Sequence, residues 1–262
     1  MLGSEKVATH DGGDRPSGAP VSDNQTQTPS TTPAVDTQPV RVWDLPTRLF
    51  HWLLVVGVVA LVATGQIGGN LIEVHLKLGL GVGALLVFRL VWGLVGGRWS
   101  RFTSFIYGPA AMLRYLRGQS RPDEHVEVGH NPLGMLSVLG LLAVLLVQVA
   151  TGLVADDEIA TTGPLNRFVS PRWVSLATGW HTENGKLLLI LLVLLHVGAI
   201  VFYLKRKRIN LVKPMVTGDK PLPAATPASR DSWVTRVLAA VVLAACIGAA
   251  VWVNSLGAVA AF

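Results

Sequence analysis

Five apolar runs, each long enough to cross a bilayer, constrain this chain more than any other feature. The first ends near residue 65, and the others cover about 74–95, 131–154, 183–204 and 233–256. A membrane-spanning helix needs about 20 apolar residues. Inside hydrocarbon, every backbone N–H and C=O must find its partner within the element, so such runs fold as helices. Composition agrees, because half of the 262 residues are hydrophobic and only 15% are charged. A soluble domain carries about 25% charged residues. The fold class is therefore read as all-α and integral to a membrane.

Residues 1–39 hold no apolar run and are rich in Gly, Pro, Ser, Thr, Asp and Gln. That composition cannot build a core, so a disordered tail without a secretory signal is expected. Structure is expected to start at Arg41-Val42-Trp43-Asp44-Leu45-Pro46, where Asp44 can cap a helix and Pro46 suits its first turn. Lysine and arginine set the orientation. Four precede or open the first run, five lie between the second and third, and eight run from Lys205 to Arg236; the other side has two, Arg167 and Arg172. Seventeen against two places the N-terminus in the cytoplasm and the C-terminus outside. The formal charge of +6 then belongs to the membrane topology, and nucleic acid is not expected as a partner. Between the runs, 104–116 reads as an interfacial helix. The segment 155–180, acidic at Asp156-Asp157-Glu158, reads as an ordered external loop.

Cys246 stands alone. It excludes an intramolecular disulfide, an iron–sulfur cage and covalent haem attachment through Cys-x-x-Cys-His. The chemistry lies in histidine instead. His51, His75, His130, His181 and His196 sit in or at the ends of the apolar runs, where ionisable groups are costly and functional. Antiparallel threading sorts them into layers. His51 and His196 fall toward the cytoplasmic face, and His75 and His181 toward the outer one. The fifteen residues from His181 to His196 separate the layers by about 22 Å and leave the two side chains about 60° apart around a helix.

Zinc takes four ligands, whereas haem iron takes two axial ligands on opposite sides of a flat macrocycle, which facing helices supply. Small residues near the ligands, Gly57, Gly79, Gly81, Gly83 and Gly198, offer clearance for a porphyrin or simply close helix packing. Arg48, Lys77, Arg89 and Lys186 lie within a few turns of the histidines and are candidates to meet haem propionates. Snorkelling is the competing account of each.

The stretch Val42-Trp43-Asp44-Leu45-Pro46-Thr47-Arg48-Leu49-Phe50-His51-Trp52 resembles the opening motif of the bacterial cytochrome b561 family, which includes the b-type cytochrome subunits of nickel–iron hydrogenases. So do His75 with Phe88-Arg89-Leu90, Gly129-His130-Asn131-Pro132-Leu133-Gly134, Trp180-His181 and Leu195-His196. The resemblance covers about residues 40–218. It implies an integral membrane four-helix bundle holding two non-covalent, bis-histidine haem b groups, to which this chain adds a C-terminal transmembrane helix. His51 and His196 would ligate the cytoplasmic-side haem, and His75 and His181 the outer one. His130 is read as a contact to a ligand or propionate rather than an axial ligand. The expected organisation is a tail at 1–39, the cytochrome domain at 40–218, a linker at 219–231 and the fifth helix with the C-terminus at 232–262.

The leading functional reading is electron transfer across the cytoplasmic membrane between the quinone pool and a redox partner, with membrane lipid as solvent. Quinone is a further candidate ligand, with Glu73, Glu183 and His130 the candidate proton acceptors. The partner would be a periplasmic or membrane redox protein, such as a c-type cytochrome or a dehydrogenase-like subunit, and a homodimer is one candidate assembly. An alternative is the membrane-anchor cytochrome of a hydrogenase- or dehydrogenase-like complex docked on the acidic loop. A third reading, from another class, is a transition-metal permease.

Overall fold

The computed structural model describes residues 36–159 and 161–258, so all but the last four residues of the expected tail lie outside it. Among the described residues, five helices are long and apolar enough to cross a membrane. They are α1 (Leu45–Ile67), α2 (Ile72–Val95), α4 (Pro132–Gly152), α6 (Gly185–Arg206) and α8 (Trp233–Ala258), with shorter α3 (Pro109–Leu116), α5 (Pro171–Gly179) and α7 (Val212–Thr217) between them. Local chemistry sets the starts. Asp44 caps α1 by accepting from the Thr47 amide at 2.8 Å, and Asn131 caps α4 by accepting from the Gly134 amide at 2.8 Å. Each cap is followed by a proline in the first turn, where a missing N–H costs nothing.

α2 is the most enclosed span. It packs against α1 on one side and α4 on another, α4 packs against α6, and α8 lies along α2. Val82, Leu86, Phe88 and Trp92 of α2 form the centre of the core, with Phe50, Leu142, Leu145, Leu189, Ala239 and Cys246 around them. α1 and α6 instead flank a cleft. We refer to the end of the bundle holding Arg48 and Lys205–Arg208 as the basic end, and the end holding Asp156–Glu158 as the acidic end.

Asp44 does more than cap. It is wholly buried, and its carboxylate also accepts from Trp92 Nε1 at 3.2 Å, the Gly97 amide at 3.1 Å and Ser100 Oγ at 2.7 Å. One side chain thus ties the start of α1 to the end of α2. A buried carboxylate is tolerable only when its lone pairs are satisfied in this way.

Three segments differ from the sequence expectation. The fourth apolar span starts where expected, with α6 at Gly185, but its helix begins earlier, inside the segment read as an external loop. α5, a π-helical turn at Trp180–Asn184 and α6 form one continuous helix, Pro171–Arg206, of 36 residues. That is about 54 Å, longer than a hydrocarbon core of about 30 Å, so the helix extends beyond the apolar stretch that marked it. Pro171 opens a helix rather than ending one.

The second difference is at the basic end. β1 (Thr37–Arg41) pairs antiparallel with β2 (Asp219–Pro223), so the end of the expected tail and the start of the expected linker form a two-stranded clamp. Gly218, at φ +92°, ends α7 in a backbone region that favours glycine. Its carbonyl accepts from Val42 and Trp43 at 2.9 and 3.0 Å. The rest of the expected linker is held too, with Ser229 Oγ donating to Val42 O at 2.7 Å and Trp99 Nε1 to Pro227 O at 2.8 Å. Third, the expected interfacial helix at 104–116 is helical only over Pro109–Leu116, because Phe102–Ser104 forms a separate 3₁₀ turn.

Candidate functional site

At the acidic end, α2 brings His75 and the π turn brings His181 into one site. Their ring centroids are 5.9 Å apart and the planes cross at 86°. His75 Nδ1 lies 3.0 Å from the carbonyl of Leu61 on α1, and His181 Nδ1 lies 2.8 Å from the carbonyl of Gln148 on α4. A carbonyl only accepts, so both Nδ1 atoms carry the proton and both Nε2 atoms are left as lone-pair donors. This is the arrangement of a histidine prepared to bind a metal through Nε2. Around the pair is an apolar cavity of about 230 Å³, bordered by α1, α2, α4 and α6. Two glycines make room for the rings. A Cβ at position 65 would fall 3.0 Å from Cε1 of His75, and one at position 152 would fall 2.8 Å from Cε1 of His181. At the mouth, Lys186 of α6 donates to Gln66 Oε1 of α1 at 3.1 Å.

At the basic end, His51 of α1 and His196 of α6 lie within electrostatic range of each other, and His130 lies within range of both. His196 Nδ1 is 3.2 Å from Ser137 Oγ, while His51 Nδ1 is buried without a protein partner. His130 packs against the tilted rings of Trp43 and Phe105, with centroids 4.8 and 4.7 Å away. Burial first, and then the nearby charges of Arg89 and Lys220, push its pKa down to about 3, so its imidazole is neutral. Arg89 is buried, with its guanidinium 4.8 Å over the Phe102 ring and Nη1 unpartnered. Arg48 donates from Nη1 to Val216 O at 2.6 Å, and its buried Nε has no partner.

The structure therefore gathers His75 with His181 at one end, and His51, His196, His130 and Arg89 at the other. Lys77 joins neither group: its side chain is 77% exposed and pairs with Glu73 at 3.8 Å. Of the glycines singled out for clearance, Gly57 and Gly83 pack against Val82 and Val149, at 2.8 and 3.1 Å from a Cβ placed on each. They serve helix packing.

A family model described as prokaryotic cytochrome b561 matches residues 42–218. The chain belongs to the prokaryotic cytochrome b561 family. Among curated proteins it is similar to the "Probable Ni/Fe-hydrogenase 1 B-type cytochrome subunit" of Escherichia coli strain K12 and to that of strain O157:H7. Each is 25% identical over 143 residues, a match that covers 45% of this chain and 60% of the relative. The chain thus spans less than two thirds of the length of these relatives.

A cytochrome b561 is a multi-pass b-type cytochrome, and haem b is the group its site must fit. The residues fit at both ends. The acidic end has two oriented imidazoles and a glycine-cleared cavity that a Cβ at 65 or 152 would invade. The basic end has two histidines beside unpartnered buried nitrogens on Arg89 and His130, which suit the carboxylates of a macrocycle's edge. Gly65 and Gly152 escaped the sequence reading, although a signal was present. Both end the same tetrapeptide, Val62-Ala63-Thr64-Gly65 and Val149-Ala150-Thr151-Gly152. Gln148 and Lys220 gave no signal, since nothing in their neighbourhood marks them.

Proposed function

We propose that this chain is a di-haem b-type cytochrome that carries electrons across the cytoplasmic membrane between the quinone pool and a redox partner. His75 and His181 would ligate one haem b at the acidic end, and His51 and His196 a second at the basic end. The observation that carries the reading is the acidic-end pair, two imidazoles from facing helices with both Nδ1 atoms tied to carbonyls. Haem b held by these histidines would supply one-electron transfer. The chain's part is to bind and orient. The carbonyls of Leu61 and Gln148 hold the ring tautomers, the apolar walls exclude water, and Arg89 with His130, and Arg48 nearby, offers the polar groups that carboxylates need. The domain reading takes 40–218 as the cytochrome unit, with β2 now drawn into its basic end.

In this reading the basic end lies on the cytoplasmic side of a bacterial inner membrane, an orientation that the excess of Lys and Arg at that end supports. The second reading is the membrane-anchor cytochrome of a hydrogenase- or dehydrogenase-like complex, favoured by the names of the Escherichia coli relatives. Its partner would dock at the acidic end, beside Asp156–Glu158. Co-purification with a large subunit separates the two. A purified chain that oxidises or reduces a quinone analogue without a partner supports the first reading. A transition-metal permease is the reading from another class, and it predicts a colourless protein with metal-dependent uptake. Reduced-minus-oxidised spectra with haem quantitation decide against it if b-type bands appear.

A further inference from the structure

The repeated tetrapeptide makes the same contacts twice. Thr64 Oγ1 donates to Ala60 O and Thr151 Oγ1 to Val147 O, both at 2.7 Å. The carbonyl three residues before each threonine, of Leu61 or Gln148, takes the Nδ1–H of the histidine on the neighbouring helix. Each threonine oxygen also lies beside that nitrogen, at 3.3 Å from His75 and 3.5 Å from His181. The hydroxyl's lone pairs remain free to share the Nδ1 proton, because its own hydrogen goes back to the helix. Each glycine then lies under the ring it clears. α1 serves His75 as α4 serves His181.

The repeat breaks at one position. Where α1 has Leu61, α4 has Gln148, and its Nε2 donates to the backbone carbonyl of His181 at 3.0 Å. That carbonyl belongs to the π turn, whose widened backbone has lost the regular helical pattern, as π turns near functional sites do. Gln148 Oε1 and Trp180 Nε1 are both buried without a partner. Both approach the space that a Cβ on residue 185 would occupy, so Gly185 is what lets the amide and the indole close on the turn.

We propose that the two Val-Ala-Thr-Gly segments form a duplicated cradle that holds both acidic-end imidazoles as Nδ1–H donors, and that Gln148 locks the His181 half. Thr64, Thr151 and Gln148 are positioning residues. The proposal rests on the reading of His75 and His181 as haem ligands. A hydrogen-bonded Nδ1–H makes Nε2 a stronger donor to a metal, and losing such a support typically weakens metal binding about 10–100-fold.

The test uses the full-length protein purified from membranes. The haem signal lost in His75→Ala and in His181→Ala identifies the acidic-end haem. Gln148→Leu, which makes the two segments alike, is expected to speed release of that haem to a haem-scavenging protein at least tenfold. The isosteric double variant Thr64→Val/Thr151→Val is expected to shift its low-spin paramagnetic resonance signal and raise its midpoint potential. The other haem should keep its signal in both. Gln148→Glu, which preserves shape, should fall between wild type and Gln148→Leu. Should Gln148→Leu fail to fold, the threonine variant decides alone. The proposal is overturned if the acidic-end haem keeps its signal, potential and release rate in the threonine variant, or if both haems change equally. A wild-type protein without haem overturns the functional reading itself, whereas two haems with unaltered variants overturn only the cradle.

Discussion

Asp44 shows how much a single residue can carry in a chain that has few charges to spend. From the sequence it was a helix cap; in the structure it also satisfies Trp92, Gly97 and Ser100. Replacing it with alanine leaves those donors buried and unpaired, at about 1–3 kcal/mol each before relaxation, besides the lost cap worth about 1 kcal/mol. Asp44→Ala should therefore destabilise the protein by at least about 4 kcal/mol, three donors at the lower figure plus the cap, measured as a fall in the denaturation midpoint, with Asp44→Asn recovering part of the loss. The histidines were legible one by one, since imidazoles in apolar runs demand a purpose. Their supports were not, because a backbone carbonyl such as that of Leu61 has no sequence signature. At the same scale, His75→Ala and His181→Ala should each halve the haem-to-protein ratio, and a ratio unchanged in either variant would contradict the pairing at the acidic end.

Helix positions were read from apolar length, and α1, α2, α4 and α8 lie where those runs predicted. The apolar part of the fourth span also lies where expected, but the helical lead-in Pro171–Gly179 carries polar residues and was read as part of an external loop. The β1–β2 clamp was illegible for a different reason: its strands are 178 residues apart at the Arg41–Asp219 contact, and neither is apolar enough to stand out. Its ion pairs give it a pH dependence. Burial alone would raise the Asp231 carboxyl, but hydrogen bonds from Arg236 and the Leu45 amide, with the charges of Arg236 and Arg41, hold it below the usual 3.8. A carboxylate lowered on folding contributes stability that is present above its unfolded value and lost as pH falls through the folded one. Amide exchange in β1 and β2 should therefore accelerate relative to the spans below about pH 4, after correction for intrinsic rates, and equal change throughout would count against the clamp. Gly152→Ala tests the cradle at element scale. The substitution favours the helix by about 0.5–1 kcal/mol, yet its Cβ would fall 2.8 Å from the His181 ring. The helix should be retained and the acidic-end haem weakened.

At the scale of the whole molecule, the four spans of the cytochrome b561 match border a cleft between α1 and α6, and α8 packs against α2 without lining it. The proposed haem ligands all lie in the family portion, and the fifth helix packs against the central span. The proposed pairing of ligands across facing helices at two depths can be counted. Purified full-length protein should show b-type bands in a dithionite-reduced minus oxidised spectrum, with a pyridine haemochrome assay returning about two haems per chain, one for each bis-histidine pair. A folded protein with no such bands, or with one haem that survives removal of His75 and of His51 alike, would contradict the account.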